Sequence, residues 1–185
     1  MNRIFEDSIK VISESKKISP DIEKAVELII KCYKKSCKVV IFGNGGSAAD
    51  AQHLSAELIG RFQLERQSLP AIALTTDTSI LTSLGNDYSF DYIFARQCEA
   101  LVKKGDVVIA ISTSGKSKNV LDGITASKKK GAHIIGLTGS KGILMKKVVD
   151  LLLVIPSTST ARIQEGHRVT IHAICELVEK KFKKN

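Results

Sequence analysis

Five short apolar runs, rich in Val, Ile and Leu, alternate with longer segments of helical pattern along this chain. The runs cover residues 38–43, 71–74, 106–111, 133–137 and 151–155. Runs of this length, bounded by glycine or polar residues, are typical of strands buried on both faces. Parallel strands need long crossover connections, which are usually helices. The alternation therefore predicts an α/β fold whose five-stranded parallel sheet is covered by helices on both sides.

Helical patterns fill the connections and flank the sheet. They are expected at residues 4–16, 20–35, 48–60, 90–101 and 119–130, from 160 almost to the end, and briefly after 75–78, where residues 85–87 end the helix. Ser19 and Pro20 are typical of a helix start, with the serine as N-cap. Because the first two helices stand outside the alternation, they must pack on the sheet or on another subunit.

Composition narrows the class of partner. A length of 185 residues favours one domain, which we place at 1–185. Tryptophan is absent and aromatic residues make up only 5% of the chain, so few side chains could stack on bases and no nucleic-acid partner is expected. No apolar run approaches the roughly 20 residues of a membrane span. The N-terminus lacks a signal-peptide pattern, so we expect no membrane association and a cytoplasmic location.

Charge and cysteine usage agree with this class. Much of the net charge of +9 lies in short lysine clusters, including the C-terminal tail. These are typical of solvated helix ends, or they create a field that attracts phosphorylated ligands. The four cysteines form no Cys-x-x-Cys pair and lie in apolar segments, so free and mostly buried thiols are expected. They are Cys32, Cys37, Cys98 and Cys175.

Two polar turns follow the first and third predicted strands. Residues 43–47 read Gly-Asn-Gly-Gly-Ser, and residues 112–117 read Ser-Thr-Ser-Gly-Lys-Ser. Both lie where a strand ends and a helix begins, which is the edge at which open parallel sheets bind ligands. Backbone N–H groups, hydroxyls and the positive helix end suit a phosphate. Neither turn matches a P-loop or a Gly-x-Gly-x-x-Gly fingerprint, so a sugar phosphate is favoured over a nucleotide.

Side chains that can transfer protons or bind metal follow the first turn and recur near the C-terminus. His53 and Glu57 are four residues apart, so on a helix they share one face and could hold one ion or one substrate. The alternative is a surface pair that supports the helix. His167 and His172 share the last predicted helix, and spacing does not choose between them. His133 lies in a strand pattern and is expected to be a packed structural residue.

Taken together, five motifs resemble those of the phosphoheptose isomerase family, which has the sugar isomerase (SIS) fold. They occupy residues 43–53, 73–79, 85–88, 111–115 and 160–165, in the family's order. The resemblance implies a flavodoxin-like three-layer sandwich with extra N-terminal helices, and a homotetramer with active sites near subunit interfaces. It also implies conversion of sedoheptulose 7-phosphate to D-glycero-D-manno-heptose 7-phosphate through an enediol, the first step towards nucleotide-activated heptose. The chain departs from the family pattern at Lys116 and at residues 166–168.

The resemblance further implies roles for individual residues. Glu57 and His172 would be the acid–base pair, and one zinc ion per subunit would be held by His53, Glu57, Gln164 and His172. Substrate contacts would come from Asn44, Gly45, Gly46, Glu57, Asn86, Asp87, Ser112, Thr113, Ser114, Ser117 and Gln164. Gln164 and His172 lie eight residues apart, about 12 Å along an ideal helix. Their meeting at one ion needs convergent long side chains or contributions from two subunits.

These residue types suit aldose–ketose interconversion. One carboxylate can move a proton between adjacent carbons, and a second group can shuttle the hydroxyl proton. A bound cation would polarise the carbonyl. One alternative is a non-catalytic SIS module that binds a replication initiator or senses sugar phosphates, and such a module would need neither Glu57 nor His172. Another is a different sugar-phosphate isomerase of the same fold, since the sequence does not define the length of the substrate.

Overall fold

A sheet of five parallel strands forms the centre of the computed structural model, which describes residues 1–183. The strands are β1 (Val39–Gly43), β2 (Ala71–Ala73), β3 (Val107–Ile111), β4 (His133–Gly139) and β5 (Leu151–Ile155). Their order in the sheet is β2-β1-β3-β4-β5, which is the flavodoxin-like order. The predicted fold class is confirmed, and every predicted strand lies within two residues of its expected bounds.

Helices cover both faces of the sheet. The described residues form α1 (Asn2–Ser15), α2 (Ser19–Lys34), α3 (Gly46–Ile59), α4 (Thr78–Asp87), α5 (Ile93–Leu101), α6 (Lys118–Lys129) and α7 (Thr160–Phe182). On one face α2, α3 and α7 pack on the sheet through residues such as Ile29, Leu54 and Ile171. On the other face α4, α5 and α6 bury Phe94 and Ile124. The three-layer sandwich is therefore confirmed, with α1 lying outside it against α7.

The two central strands are buried at every position, because their Val, Ile and Phe side chains face helices on both sides of the sheet. They pair in register from Val39 opposite Val107 to Gly43 opposite Ile111. The order of the strands reverses between β1 and β3, since β2 lies beyond β1 while β4 and β5 lie beyond β3. The two predicted polar turns therefore leave the sheet side by side, at the switch point where such folds bind ligands.

One local prediction was wrong and one element was missed. The α4 helix ends at Asp87, within the predicted residues 85–87, and it begins at an N-cap at Asp77, whose carboxylate accepts from the Ile80 N–H group at 2.9 Å. Ser19 is not an N-cap, because its hydroxyl donates to the Lys16 carbonyl at 2.8 Å. In addition, residues Ser140–Lys147 form a 3-10 helix that has no counterpart among the predicted elements.

The cysteines have the burial that the sequence predicts. All four cysteines are free; Cys32, Cys98 and Cys175 are buried and Cys37 is half-buried, as predicted. No helix within residues 1–183 is both long enough and apolar enough to cross a bilayer. Lys184 of the basic tail, and the end of the predicted domain at residue 185, lie outside the described residues.

Candidate active site

The two polar turns are joined by a pair of amide side chains. The Asn44 amide donates to the Asn119 side-chain oxygen at 2.8 Å, and Asn119 donates back to Asn44 at 3.0 Å. Asn119 is 3% exposed and lies in the first turn of α6. Asn44, which is expected to contact substrate, is thus hydrogen-bonded to the start of α6, directly after the second turn. Asn119 did not stand out in the sequence, because an asparagine at a helix start is common and its partner lies 75 residues away.

The first turn opens directly into α3. Gly45 has a φ of 56°, a left-handed conformation that favours glycine, and it is the N-cap of α3. No side chain caps this helix start, so its positive end is open to an anion. Gly45 and Gly46 are both exposed. A Cβ atom at Gly46 would overlap the side-chain amide of Gln164, so that amide lies directly on the turn.

The second turn is braced from within and presents hydroxyls outwards. Ser112 is 4% exposed, accepts the Gly115 N–H group at 3.1 Å and lies 3.2 Å from the Ser117 hydroxyl. Ser114 is exposed, while Thr113 and Ser117 are half-buried. Ser117 is the N-cap of α6, and its side chain makes no capping hydrogen bond. Ser112 therefore shapes the turn, and the Ser114 hydroxyl accepts the Lys116 N–H group at 3.2 Å. The hydroxyls of Thr113, Ser114 and Ser117 lie where an oxyanion could contact them.

Two histidines and a carboxylate meet between α3 and α7. The Nε2 atoms of His53 and His172 lie 2.9 Å apart, and His53 Nε2 lies 3.5 Å from Glu57 Oε1. The His53 and Glu57 side chains are 33% and 21% exposed, so they are sheltered but reachable. The structure thus chooses His172 over His167, and it brings together two residues that are 119 positions apart in sequence.

The other two histidines lie elsewhere. His133 is exposed at the start of β4, so its prediction as a packed structural residue was wrong: it precedes the buried part of the strand. His167 is fully buried, and neither ring nitrogen has a hydrogen-bond partner among the described residues. Burial lowers the pKa of His167 to about 4, which keeps the ring neutral.

Phe62, which sequence reasoning missed, packs against the ring of His172. Its ring centroid lies 5.4 Å from that of His172, with 34° between the ring planes. Phe62 belongs to the loop after α3, which the carboxylate of Glu179 holds in place. That carboxylate, on α7, accepts the N–H groups of Phe62, Gln63 and Leu64 at 3.1, 2.8 and 3.0 Å.

A buried arginine completes the anchor of this loop. The Arg66 guanidinium donates to the backbone carbonyls of Glu57, Gly60 and Gln67 at 2.6, 3.1 and 2.9 Å. It also lies 4.0 Å from the Glu179 carboxylate, and both side chains are 1% exposed. Arg66 thereby satisfies the Glu57 carbonyl of α3 and the carbonyl of its C-cap Gly60, which stabilises the helix end that carries Glu57. The sequence signal was Glu179 itself, a carboxylate within an apolar helix face.

A second ion pair lies close to the histidines. Arg168 Nη2 contacts Asp50 Oδ1 at 2.7 Å, and Asp50 is 3% exposed. Burial raises the pKa of Asp50 despite the neighbouring guanidinium of Arg168. Burial lowers the pKa of His53, and the Arg168 cation acts in the same direction against the carboxylate of Glu57. The lowered pKa favours a neutral His53 ring, the form that can accept a proton or bind a metal.

Asn86 and Asp87 are not brought to the histidine cluster by any described hydrogen bond. Both are exposed at the end of α4, where the Asn86 amide donates to the Asp87 carboxylate at 2.9 Å. Their predicted role in substrate binding stays a prediction.

The donor chemistry of the cluster fits a zinc ion. Two imidazole nitrogens and a carboxylate converge from His53, His172 and Glu57, and these are ligands that zinc prefers. Gln164, the fourth predicted ligand, is not brought to this cluster, since its amide lies at Gly46, two turns earlier along α3. Among residues 1–183, no group of three or more His, Cys, Asp or Glu side chains is arranged to hold a metal ion. The zinc site stays a prediction.

Comparison with known proteins places this arrangement in a family. The SIS domain family model matches residues 5–139. The chain is 56% identical over 165 residues to a phosphoheptose isomerase of Citrifermentans bemidjiense, covering 89% of this chain and 86% of the relative. It is 53% identical to that of Campylobacter concisus over 94% of this chain and 92% of the relative.

A solved structure agrees with these relatives. That of a phosphoheptose isomerase from Neisseria gonorrhoeae superposes with a TM-score of 0.92 at 43% identity, covering 97% of this chain and 96% of that chain. Identity at this level over nearly the whole length extends the likeness beyond the SIS fold. The chain therefore belongs to the phosphoheptose isomerase family of SIS domain proteins.

Proposed function

We propose that this chain is a sugar-phosphate isomerase that interconverts sedoheptulose 7-phosphate and D-glycero-D-manno-heptose 7-phosphate. The observation that carries the proposal is that His172 of α7 meets His53 and Glu57 of α3, and that α3 begins at a turn suited to an anion. Relatives about half identical over most of the chain are phosphoheptose isomerases, which supports the seven-carbon substrate. The product would enter the synthesis of nucleotide-activated heptose.

The phosphate would be held by the turn after β3. Thr113, Ser114 and Ser117 carry the hydroxyls that reach solvent there, and α6 begins at Lys118 with no side-chain cap. A phosphate at this helix start would accept backbone and hydroxyl hydrogen bonds and benefit from the helix dipole. The sugar would then extend across Asn44, Gly45 and Gly46 towards the histidines.

Glu57 would remove and return the carbon-bound proton. In the ketose-to-aldose direction the carboxylate takes a proton from carbon 1, and the carbon–hydrogen electron pair forms the enediol double bond. Glu57, whose carboxyl proton can exchange with solvent, then delivers a proton to carbon 2, while His172 carries the hydroxyl proton between the two oxygens. Phe62, packed against the His172 ring, would limit access of bulk water to it.

We propose zinc as the cofactor, held by His53, Glu57, Gln164 and His172. When bound, it would polarise the substrate carbonyl and stabilise negative charge on the enediolate. Gln164 lies at Gly46 of its own chain, while His172 lies at His53, so the gap between these two ligands runs alongside α3. The gap spans seven residues of α3, about 10 Å on an ideal helix, so the ligand set would close either by movement of the long Gln164 side chain or with a Gln164 from a second subunit.

We further propose that the chain forms a homotetramer with active sites near subunit interfaces. Ile4, Phe5 and Ile9 on α1 are 58%, 65% and 67% exposed, an apolar face that water solvates poorly.

Four free thiols, three of them buried, support a reducing compartment, so we place the protein in the cytoplasm.

The test is an isomerase assay on ketose phosphates of five, six and seven carbons. We expect turnover of the seven-carbon substrate to exceed that of the others by at least about 10²-fold in kcat/KM. Turnover of a shorter ketose phosphate at an equal or higher rate would reassign the substrate. Tight sugar-phosphate binding with no turnover would instead favour the non-catalytic SIS module.

A further inference from the structure

Three contacts join α3 to α7 at regular intervals. They pair Gly46 with Gln164, Asp50 with Arg168, and His53 with His172. Each step of three or four residues along α3 is matched by a step of four along α7, so the two helices run alongside each other in a fixed register. The outer two contacts involve residues placed in the active site. The middle contact is an ion pair, and neither of its residues is assigned to substrate binding or proton transfer.

The middle contact has the chemistry of a strong anchor. Asp50 is 3% exposed, and its Oδ1 atom accepts from Arg168 at 2.7 Å. Its Oδ2 atom is buried without a hydrogen-bond partner among the described residues. Arg168 is thus the charge that compensates this buried carboxylate. Asp50 is buried while the Arg168 side chain is 36% exposed, so water screens their attraction only in part, and removing Arg168 leaves the buried carboxylate uncompensated.

The ion pair also lies within one helical turn of the reacting groups. Asp50 precedes His53 by three residues on α3, and Arg168 precedes His172 by four residues on α7. A helical turn advances by about 5.4 Å, so a slip of either helix at this ion pair would move the neighbouring contacts by a comparable fraction of a turn. The 2.9 Å separation of the two imidazoles leaves little room for such a slip.

We propose that the Asp50–Arg168 ion pair is a positioning device that sets the register of α7 against α3 and thereby holds His172 at His53. Neither residue needs to touch the substrate. The expected effect of the ion pair on turnover rests on the proposed isomerase function, whereas its expected effect on the geometry of the two histidines does not.

The test uses Arg168→Met, Asp50→Asn and the double variant in the full-length protein. We expect Arg168→Met to lower kcat by about 10-fold, because sub-ångström misplacement of catalytic groups is costly, with KM changed by less than about 2-fold. The double variant should lose no more than the worse single variant, since paired residues do not act additively. Arg168→Lys should recover most of the lost kcat because it restores the charge.

Nitrogen-15 NMR of the imidazole rings separates positioning from general stability. In Arg168→Met we expect the signals of His53 and His172 to move, while that of exposed His133 stays in place. Lys180→Met is the matched control: it removes an ion pair with Glu176 from the same helix, at 2.6 Å, in an exposed position. This control should change neither kcat nor the ring signals.

Two outcomes would overturn the proposal: unchanged His53 and His172 signals in Arg168→Met, or single-variant losses in kcat that add fully in the double variant. If the wild-type chain isomerises no ketose phosphate, the proposed function fails, yet the ring signals still decide whether the ion pair sets the helix register.

Discussion

The side-chain amide of Gln164 lies over the Cα atom of Gly46, in the space that a Cβ atom would occupy. Gly46→Ala should therefore displace Gln164 while leaving the backbone intact, because the overlapping atoms are the far end of a flexible side chain. We expect kcat to fall by at least about 10-fold, with a change in unfolding free energy below about 1 kcal/mol. Steady-state kinetics and urea unfolding measure the two quantities.

Gly85→Ala is the matched control for this substitution. A Cβ atom at Gly85, inside α4, would meet no atom within 4 Å. Alanine is the better helix former by about 0.5–1 kcal/mol, so this variant should be slightly more stable and equally active. Wild-type kcat in Gly46→Ala would remove Gln164 from the mechanism.

The hydroxyls of the turn after β3 are expected to set substrate affinity. Ser114→Ala and Ser117→Ala each remove a hydrogen bond to a charged phosphate, which should weaken binding by about 1–2 kcal/mol, or roughly 5- to 30-fold. Calorimetric titration with substrate or an inert analogue measures the effect. The control is Thr125→Ala at an exposed position of α6, where the threonine hydroxyl donates to the Leu121 carbonyl. Equal affinity in all three variants would place the phosphate elsewhere.

The buried Glu179 carboxylate should be a major determinant of stability. Glu179→Gln puts an NH2 group against backbone N–H donors and leaves the buried Arg66 without its counter-charge. Breaking a buried pair of this kind costs about 3–5 kcal/mol. Urea unfolding at a fixed protein concentration should show this loss. Glu176→Gln, an exposed glutamate on the same helix, should change stability by less than about 0.5 kcal/mol. Equal stability in both variants would mean that Glu179 is replaceable.

Zinc should be required for full activity if the proposed ligands hold it. Removal of metal with a chelator is expected to depress kcat, and added zinc should restore it. His53→Ala should lose both bound metal and rate, because an imidazole is a strong zinc ligand. Metal content is checked by elemental analysis. If metal-free protein turns over at the full rate, the contact between His53 and His172 is a simple hydrogen bond and zinc has no catalytic part.

The five strands were predictable from the sequence, whereas the cap of α2 and the 3-10 helix at Ser140–Lys147 were not. The buried runs around Ile41 and Ile109 are continuous and β-branched, a pattern that few alternatives share. Gly85 lies inside α4, because a single glycine costs a helix only about 1 kcal/mol. In α4 the Asp77 cap and the burial of Leu84 accompany a helix that continues past it.

The candidate site divides in the same way. His53 and Glu57 were recognisable because both lie on one helix within a single turn. The contact of His53 with His172, and that of Asn44 with Asn119, depend on tertiary packing across 119 and 75 residues. Local patterns carry no information about such contacts. Arg66 and Phe62 were missed for the same reason, since only the folded loop brings them to Glu57 and His172.

The most direct test of the account compares the wild-type chain with Glu57→Gln on sedoheptulose 7-phosphate in D₂O. Loss of the carboxylate should lower turnover by roughly 10²-fold or more, the range for loss of a general base. NMR of the reaction should show the aldose product forming with the wild-type chain. Deuterium should enter the sugar carbons in that reaction, and more slowly with Glu57→Gln, because the proton transfer depends on this carboxylate. If Glu57→Gln forms the product at the wild-type rate, Glu57 is not the base and the proposed mechanism is wrong.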